Sequence, residues 1–90
     1  MAIKTVRDLM EALRQGSYSS VGSYPLFFIT ADGGALLPST VRAELGQIAS
    51  AVRDSGDRQW RVIGHDVNWE DVELYDDHTN ERIPSAYGED

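Results

Sequence analysis

Apolar positions recur along this chain with two different periods. Val6, Leu9, Met10 and Leu13 fall at i, i+3, i+4 and i+7. That stripe predicts a helix within residues 1–15. Thr5 with Asp8 resembles a capping box at its start, and Gly16 is a plausible left-handed residue just past its end. Residues 16–22, GSYSSVG, carry no core signal and predict a loop with Tyr18 exposed.

Residues 23–30, SYPLFFIT, form the most apolar run and predict a buried strand beginning after Pro25. Asp32-Gly33-Gly34 signals a tight turn, with Ala35-Leu36-Leu37 as the returning strand. Residues 38–55 predict a second helix, capped by Ser39 or Thr40 and burying Val41, Leu45, Ile48 and Val52, with Ala49 beside them. Gly46 costs that helix about 1 kcal/mol against Ala, so it is expected where the helix backbone approaches a strand.

The alternation of residues 59–66 predicts a strand with Trp60, Val62 and Gly64 on one face and Arg61, Ile63 and His65 on the other. A half-covered outer face is expected, because Ile63 lies on it. Asn68-Trp69-Glu70-Asp71 reads as a bend, and residues 72–75, VELY, as a second strand pairing with the first. Residues 76–82 form a polar turn, residues 83–87 pack back, and residues 88–90 fray. The resulting expectation is a single domain over residues 1–90 of the α+β class: a small two-layer fold, an antiparallel sheet with two helices on one face, in the order α-β-β-α-β-β.

Ninety residues, 41% hydrophobic, suffice for one modest core. The net charge of −7 is unevenly placed. Residues 1–56 hold five acids (Asp8, Glu11, Asp32, Glu44, Asp54) and five bases (Lys4, Arg7, Arg14, Arg42, Arg53). Residues 57–90 hold ten acids and three bases (Arg58, Arg61, Arg82), so the whole imbalance lies there. Phosphate contact needs clustered Lys and Arg, so direct nucleic-acid binding is not expected. Such a surface serves solubility or attracts a basic partner. No segment approaches the ~20 apolar residues of a membrane span, and the N-terminus lacks a signal-peptide run. Cysteine is absent, which removes disulfides and thiolate zinc sites and fits a cytoplasmic setting.

Candidate chemistry is sparse. Gly33-Gly34 lacks the Lys and Ser/Thr of a phosphate loop. No serine sits in a nucleophile-elbow context, and so short a chain has little room for a catalytic cleft. His65-Asp66 and Asp76-Asp77-His78 are the one cluster of imidazoles and acids, and would meet if the two strands formed a hairpin. The expectation is a non-enzymatic protein with no cofactor and no metal. Both tryptophans suit a core, but Trp69, flanked by polar residues, also suits an interface.

The pattern W-R-V-I-G-x-D-V-N-W-E-D, followed by L-Y-x-x-H-T-x-x-R-I-x-S-A-Y, resembles small open reading frames of tailed phages and integrated mobile elements. The likeness covers residues 60–87 and, more loosely, YPLFFITADGG. In such sequences a cysteine often follows the tyrosine; here Asp76 stands there, which argues against a metal knuckle. The resemblance implies no assigned activity. It points to accessory proteins, small and acidic, that bind a host protein, including inhibitors of restriction and CRISPR systems. The leading expectation is therefore a module that occupies a basic host-protein surface, such as the nucleic-acid-binding face of a defence complex. Asp66, Glu70, Asp71, Glu73, Asp76 and Asp77 would steer the encounter and Trp69 would anchor it. A structural or assembly protein and a metal-dependent enzyme using His65 and His78 are the alternatives.

Overall fold

The computed structural model describes residues 2–16 and 24–87. The loop containing Tyr18 and the tail at residues 88–90 lie outside the described residues. The elements are α1 (Val6–Arg14), β1 (Leu26–Thr30), β2 (Ala35–Leu36), α2 (Pro38–Ala43), α3 (Leu45–Asp54) and β3 (Val62–Val67). The sheet is antiparallel with strand order β2-β1-β3. The class is α+β, but among the described residues three strands stand where four were expected and three helices where two were expected.

The first helix starts where its cap is written. Thr5 Oγ1 accepts from Asp8 N–H at 3.1 Å, while the Asp8 carboxylate accepts from Thr5 N–H at 3.2 Å. Its buried stripe is Leu9, Ala12 and Leu13; Met10 is exposed. Upstream, Ala2 and Ile3 are not helical. Ala2 bridges Gly64, and Ile3 N–H donates to Ile63 O at 2.8 Å, so the N-terminal segment occupies part of the outer edge of β3.

The predicted second helix breaks at Glu44, whose φ −107°, ψ 26° are not helical. Gly46 lies two residues beyond. It faces open space rather than a strand, so its expected packing role is corrected. A glycine there weakens helical continuation by about 1 kcal/mol. The N-cap of α2 is Leu37, with Pro38 in the first turn, not Ser39 or Thr40. At the end of α3, Ser55 takes a left-handed conformation (φ 50°) and Gly56 N–H returns to Ala51 O at 3.0 Å.

A bulge decides which face of β3 turns inward. Ile29 pairs with Gly64, but Thr30 pairs with Val62, leaving Ile63 as the extra residue. An inserted residue reverses the alternation beyond it. Val62 is therefore buried as expected. His65 is carried inward opposite Phe28, and Val67 comes opposite Leu26. Ile63 is 44% exposed. The two faces written for His65 and Gly64 are thus corrected, although Gly64 is buried under the Ala2 bridge. One core joins Leu9 and Leu13 of α1, Val41 of α2, Ile48 and Val52 of α3 to Phe28, Leu36 and Val62 of the sheet.

No strand forms over residues 72–75. Tyr75 makes one isolated bridge, to Arg82 rather than to β3. Ile83 N–H donates to Leu74 O and Asp76 N–H to Glu81 O, both at 2.8 Å. Two causes are visible: Ala2 and Ile3 already pair with the β3 edge, and Asn68 turns the chain away from the sheet. Ile83 packs back and is fully buried, as expected.

Candidate protein-docking surface

Asn68 organises the segment that carries Trp69. Its Nδ2 donates to the carbonyls of Asp71 (2.9 Å), Pro84 (3.0 Å) and Ile83 (3.3 Å), and its Oδ1 accepts from Asp71 N–H. Its own N–H donates to Pro25 O at 3.0 Å. A buried amide with these partners fixes the bend over residues 68–71 to both the start of β1 and the returning segment. Next to it, Ala86 N–H donates to Asn68 O and Tyr87 N–H to Trp69 O.

These bonds assemble three aromatic rings. Tyr24 precedes Pro25, Trp69 follows Asn68, and Tyr87 is tied to Trp69 through the backbone. The Trp69 ring centroid lies 4.6 Å from that of Tyr24, tilted by 55°, and 6.0 Å from that of Tyr87, nearly parallel at 19°. The Tyr87 hydroxyl is hydrogen-bonded to Tyr24, which holds its pKa above the ordinary 10.0. Even so packed, Trp69 is 45% and Tyr87 56% exposed. Tyr24 and Tyr87 are members that sequence reasoning missed. Their only early signal was a tyrosine beside each segment that later meets Asn68.

The expected acidic residues separate into four places. Glu70, Asp71 and Glu73 are exposed on the Trp69 segment. Asp66 points outward from β3, opposite Phe27. Asp77 is exposed but lies against Gly34; a Cβ on Gly34 would collide with its carboxylate and stand 2.9 Å from Thr30 Oγ1. Burial, then the charges of Asp32 and Asp76, raise the Asp77 pKa. Asp76 has no exposed surface at all. Its carboxylate accepts from the N–H groups of Leu37, His78 and Thr79 at 2.7–2.8 Å. Burial pushes its pKa up, but these bonds and one from the Thr40 side chain hold it below 3.8. Asp76 therefore braces the start of α2 and cannot present itself to a partner, which corrects its place in the expected set.

The two histidines occupy different surroundings. His65 is buried and stacks on Phe28, with centroids 5.5 Å apart; burial is the main cause holding its pKa below 6.5. His78 stands edge-on to Trp60 at 5.0 Å, its Nε2 4.0 Å from Glu44 Oε2. Without the second hairpin nothing draws them together, and among the described residues no group of three or more acids and imidazoles is placed to hold a metal ion. No helix among the described residues is long and apolar enough to cross a membrane. A groove of about 230 Å³ lies between Pro25, Leu26, Leu37, Pro38 and Pro84, with the polar Ser39, Glu81 and Arg82 also lining it.

No family model, curated protein or solved structure matches this chain.

Proposed function

We propose that this chain is an accessory protein of a phage or mobile element that docks on a basic surface of a host protein, of the kind a nucleic-acid-binding defence complex presents. The observation that carries this reading is Trp69, half exposed yet packed against the rings of Tyr24 and Tyr87 on a segment bearing Glu70, Asp71 and Glu73. Exposed aromatics with restricted side chains are the usual anchors of interfaces. Carboxylates beside them speed encounter with a basic surface and set its register. The Asn68 bonds order the segment before binding, which lowers the entropy lost on docking.

The test is capture from host lysate by the wild-type protein, by Trp69→Ala, and by a variant with Asp66, Glu70, Asp71 and Glu73 replaced by their amides. A host protein retained by the wild type and lost in both variants, with circular dichroism unchanged, supports the reading. Retention unaffected by either change rejects it.

A further inference from the structure

We infer that the recess at the start of β3 binds a small organic acid, with its carboxylate on the Arg61 guanidinium, Lys4 as a second charge, and its apolar body against Ile3, Val52 and Val62. The recess holds about 220 Å³. Its polar lining is Lys4, Ser55 and Arg61, and the rest is Ile3, Val52, Val62 and Ile63. Among the described residues that line it there is no acid. A chain of net charge −7 thus places two cations and a hydroxyl around one apolar hollow. The docking surface proposed above follows the other end of β3 and shares none of these residues.

Arg61 makes the demand for an anion. Its backbone is fixed on both sides: its N–H donates to Asp57 O at 2.8 Å, and its O accepts from Ala31 N–H at 2.9 Å. The side chain is half-buried, and its Nε is covered without a hydrogen-bond partner. The described ion pairs and hydrogen bonds include none from this guanidinium, whose terminal nitrogens are not buried in the same way. Taking part of a cation out of water without a partner is costly. The guanidinium charge is delocalised, so an anion at the terminal nitrogens offsets that cost without touching Nε. Carboxylates adjoining the recess in sequence have other partners. Asp8 caps α1, Asp54 pairs with Arg53 at 3.3 Å, and Asp57 Oδ1 accepts from Gln59 N–H at 3.0 Å. Asp8 also attracts Lys4, which leaves Arg61 as the principal anchor.

The walls select the kind of anion. Inorganic phosphate would lose hydration against Ile3, Val52 and Val62 and gain nothing from them. A carboxylate carrying an alkyl or aryl body buries that body there. Its two oxygens also match two parallel donors of a guanidinium. The volume is below the roughly 300–1,000 Å³ of sites for drug-sized molecules, so the acid is small.

The test is a titration of the ¹⁵N-labelled protein, at constant ionic strength, with phenylacetate, phenylacetamide and inorganic phosphate. The readouts are the backbone amides of Ile3, Val62 and Ile63 and the Arg61 Nε–H resonance, assigned by its loss in Arg61→Lys. Phenylacetate is expected to move these resonances to saturation and to bind about tenfold or more tightly than phenylacetamide or phosphate. Arg61→Gln should weaken phenylacetate about tenfold, and Lys4→Gln about threefold, with the remaining spectrum unchanged. Lys4 is exposed, so its variant tests the site even if Arg61→Gln disturbs the fold. Equal binding of phenylacetamide overturns the anion site, and equal binding of phosphate overturns the organic acid. If phenylacetate moves nothing while Arg61→Gln lowers the melting temperature, Arg61 serves the end of α3 and the inference is overturned.

Discussion

Asp76 Oδ2 accepts a hydrogen bond from the backbone N–H of Leu37 at 2.8 Å, across 39 positions of sequence. With the bonds from His78 and Thr79, this buried carboxylate fastens the irregular C-terminal third to the start of α2. Asp76→Asn keeps the size but replaces one acceptor oxygen with a donor facing a donor. Charge-assisted bonds contribute about 1.5–3 kcal/mol each, so a loss of about 3 kcal/mol is expected in urea unfolding. Because the folded pKa of Asp76 is depressed, its contribution is complete above 3.8 and is lost as pH falls through the lower folded value. The variant should lack that acid-labile component.

Asn68→Asp should be as damaging through the opposite chemistry. The Nδ2 that donates to three carbonyls would become an oxygen facing them. A buried carboxylate with one oxygen facing only carbonyls, and a single N–H donor (Asp71) at the other, costs several kcal/mol. Hydrogen exchange should show residues 68–87 opening while α1 and α3 stay protected. Uniform protection at the wild-type level would rule out Asn68 as the organiser of this segment.

The bulge in β3 predicts a contrast between neighbours. Val62→Asp buries a charge with no partner and should abolish the cooperative melt. Ile63→Asp, on the exposed side of the bulge, should cost less than about 1 kcal/mol. Equal damage at both positions would mean that the register is wrong.

His65 should give stability a pH dependence. Its folded pKa lies below 6.5, so the unfolded chain binds the additional proton first. Stability is therefore complete above pH 6.5 and declines as pH falls toward the folded value. His65→Phe retains a ring against Phe28 and should flatten that portion of a melting-temperature profile, whereas an unchanged slope would assign it elsewhere.

Ser55 sits at φ 50° after α3, a region that glycine enters without steric cost. Ser55→Gly should stabilise the fold by about 0.5 kcal/mol, read as a rise of a few degrees in melting temperature. A fall would show that the serine side chain makes a compensating contact.

Several features are set by neighbouring residues and are readable in the sequence. The Thr5–Asp8 capping box, the β1 strand and its glycine turn, and the buried positions Val41, Ile48, Val52 and Val62 all follow from local spacing. So does the placement of Glu70, Asp71 and Glu73 on an exposed segment, since charges leave water only when paired. The remaining features depend on contacts between distant segments. One extra residue at Ile63 brings His65 inward, and single-strand alternation cannot reveal it because the register belongs to both strands. Residues 72–75 have strand-like alternation, but Ala2 and Ile3 already use part of the edge and Asn68 bends the chain away. Asp76 looks like one more surface acid until the N–H groups of Leu37, His78 and Thr79 converge on it. The same holds for the docking surface: Trp69 is conspicuous in the sequence, but Tyr24 and Tyr87 join it only because Asn68 binds three separate stretches of backbone at one point.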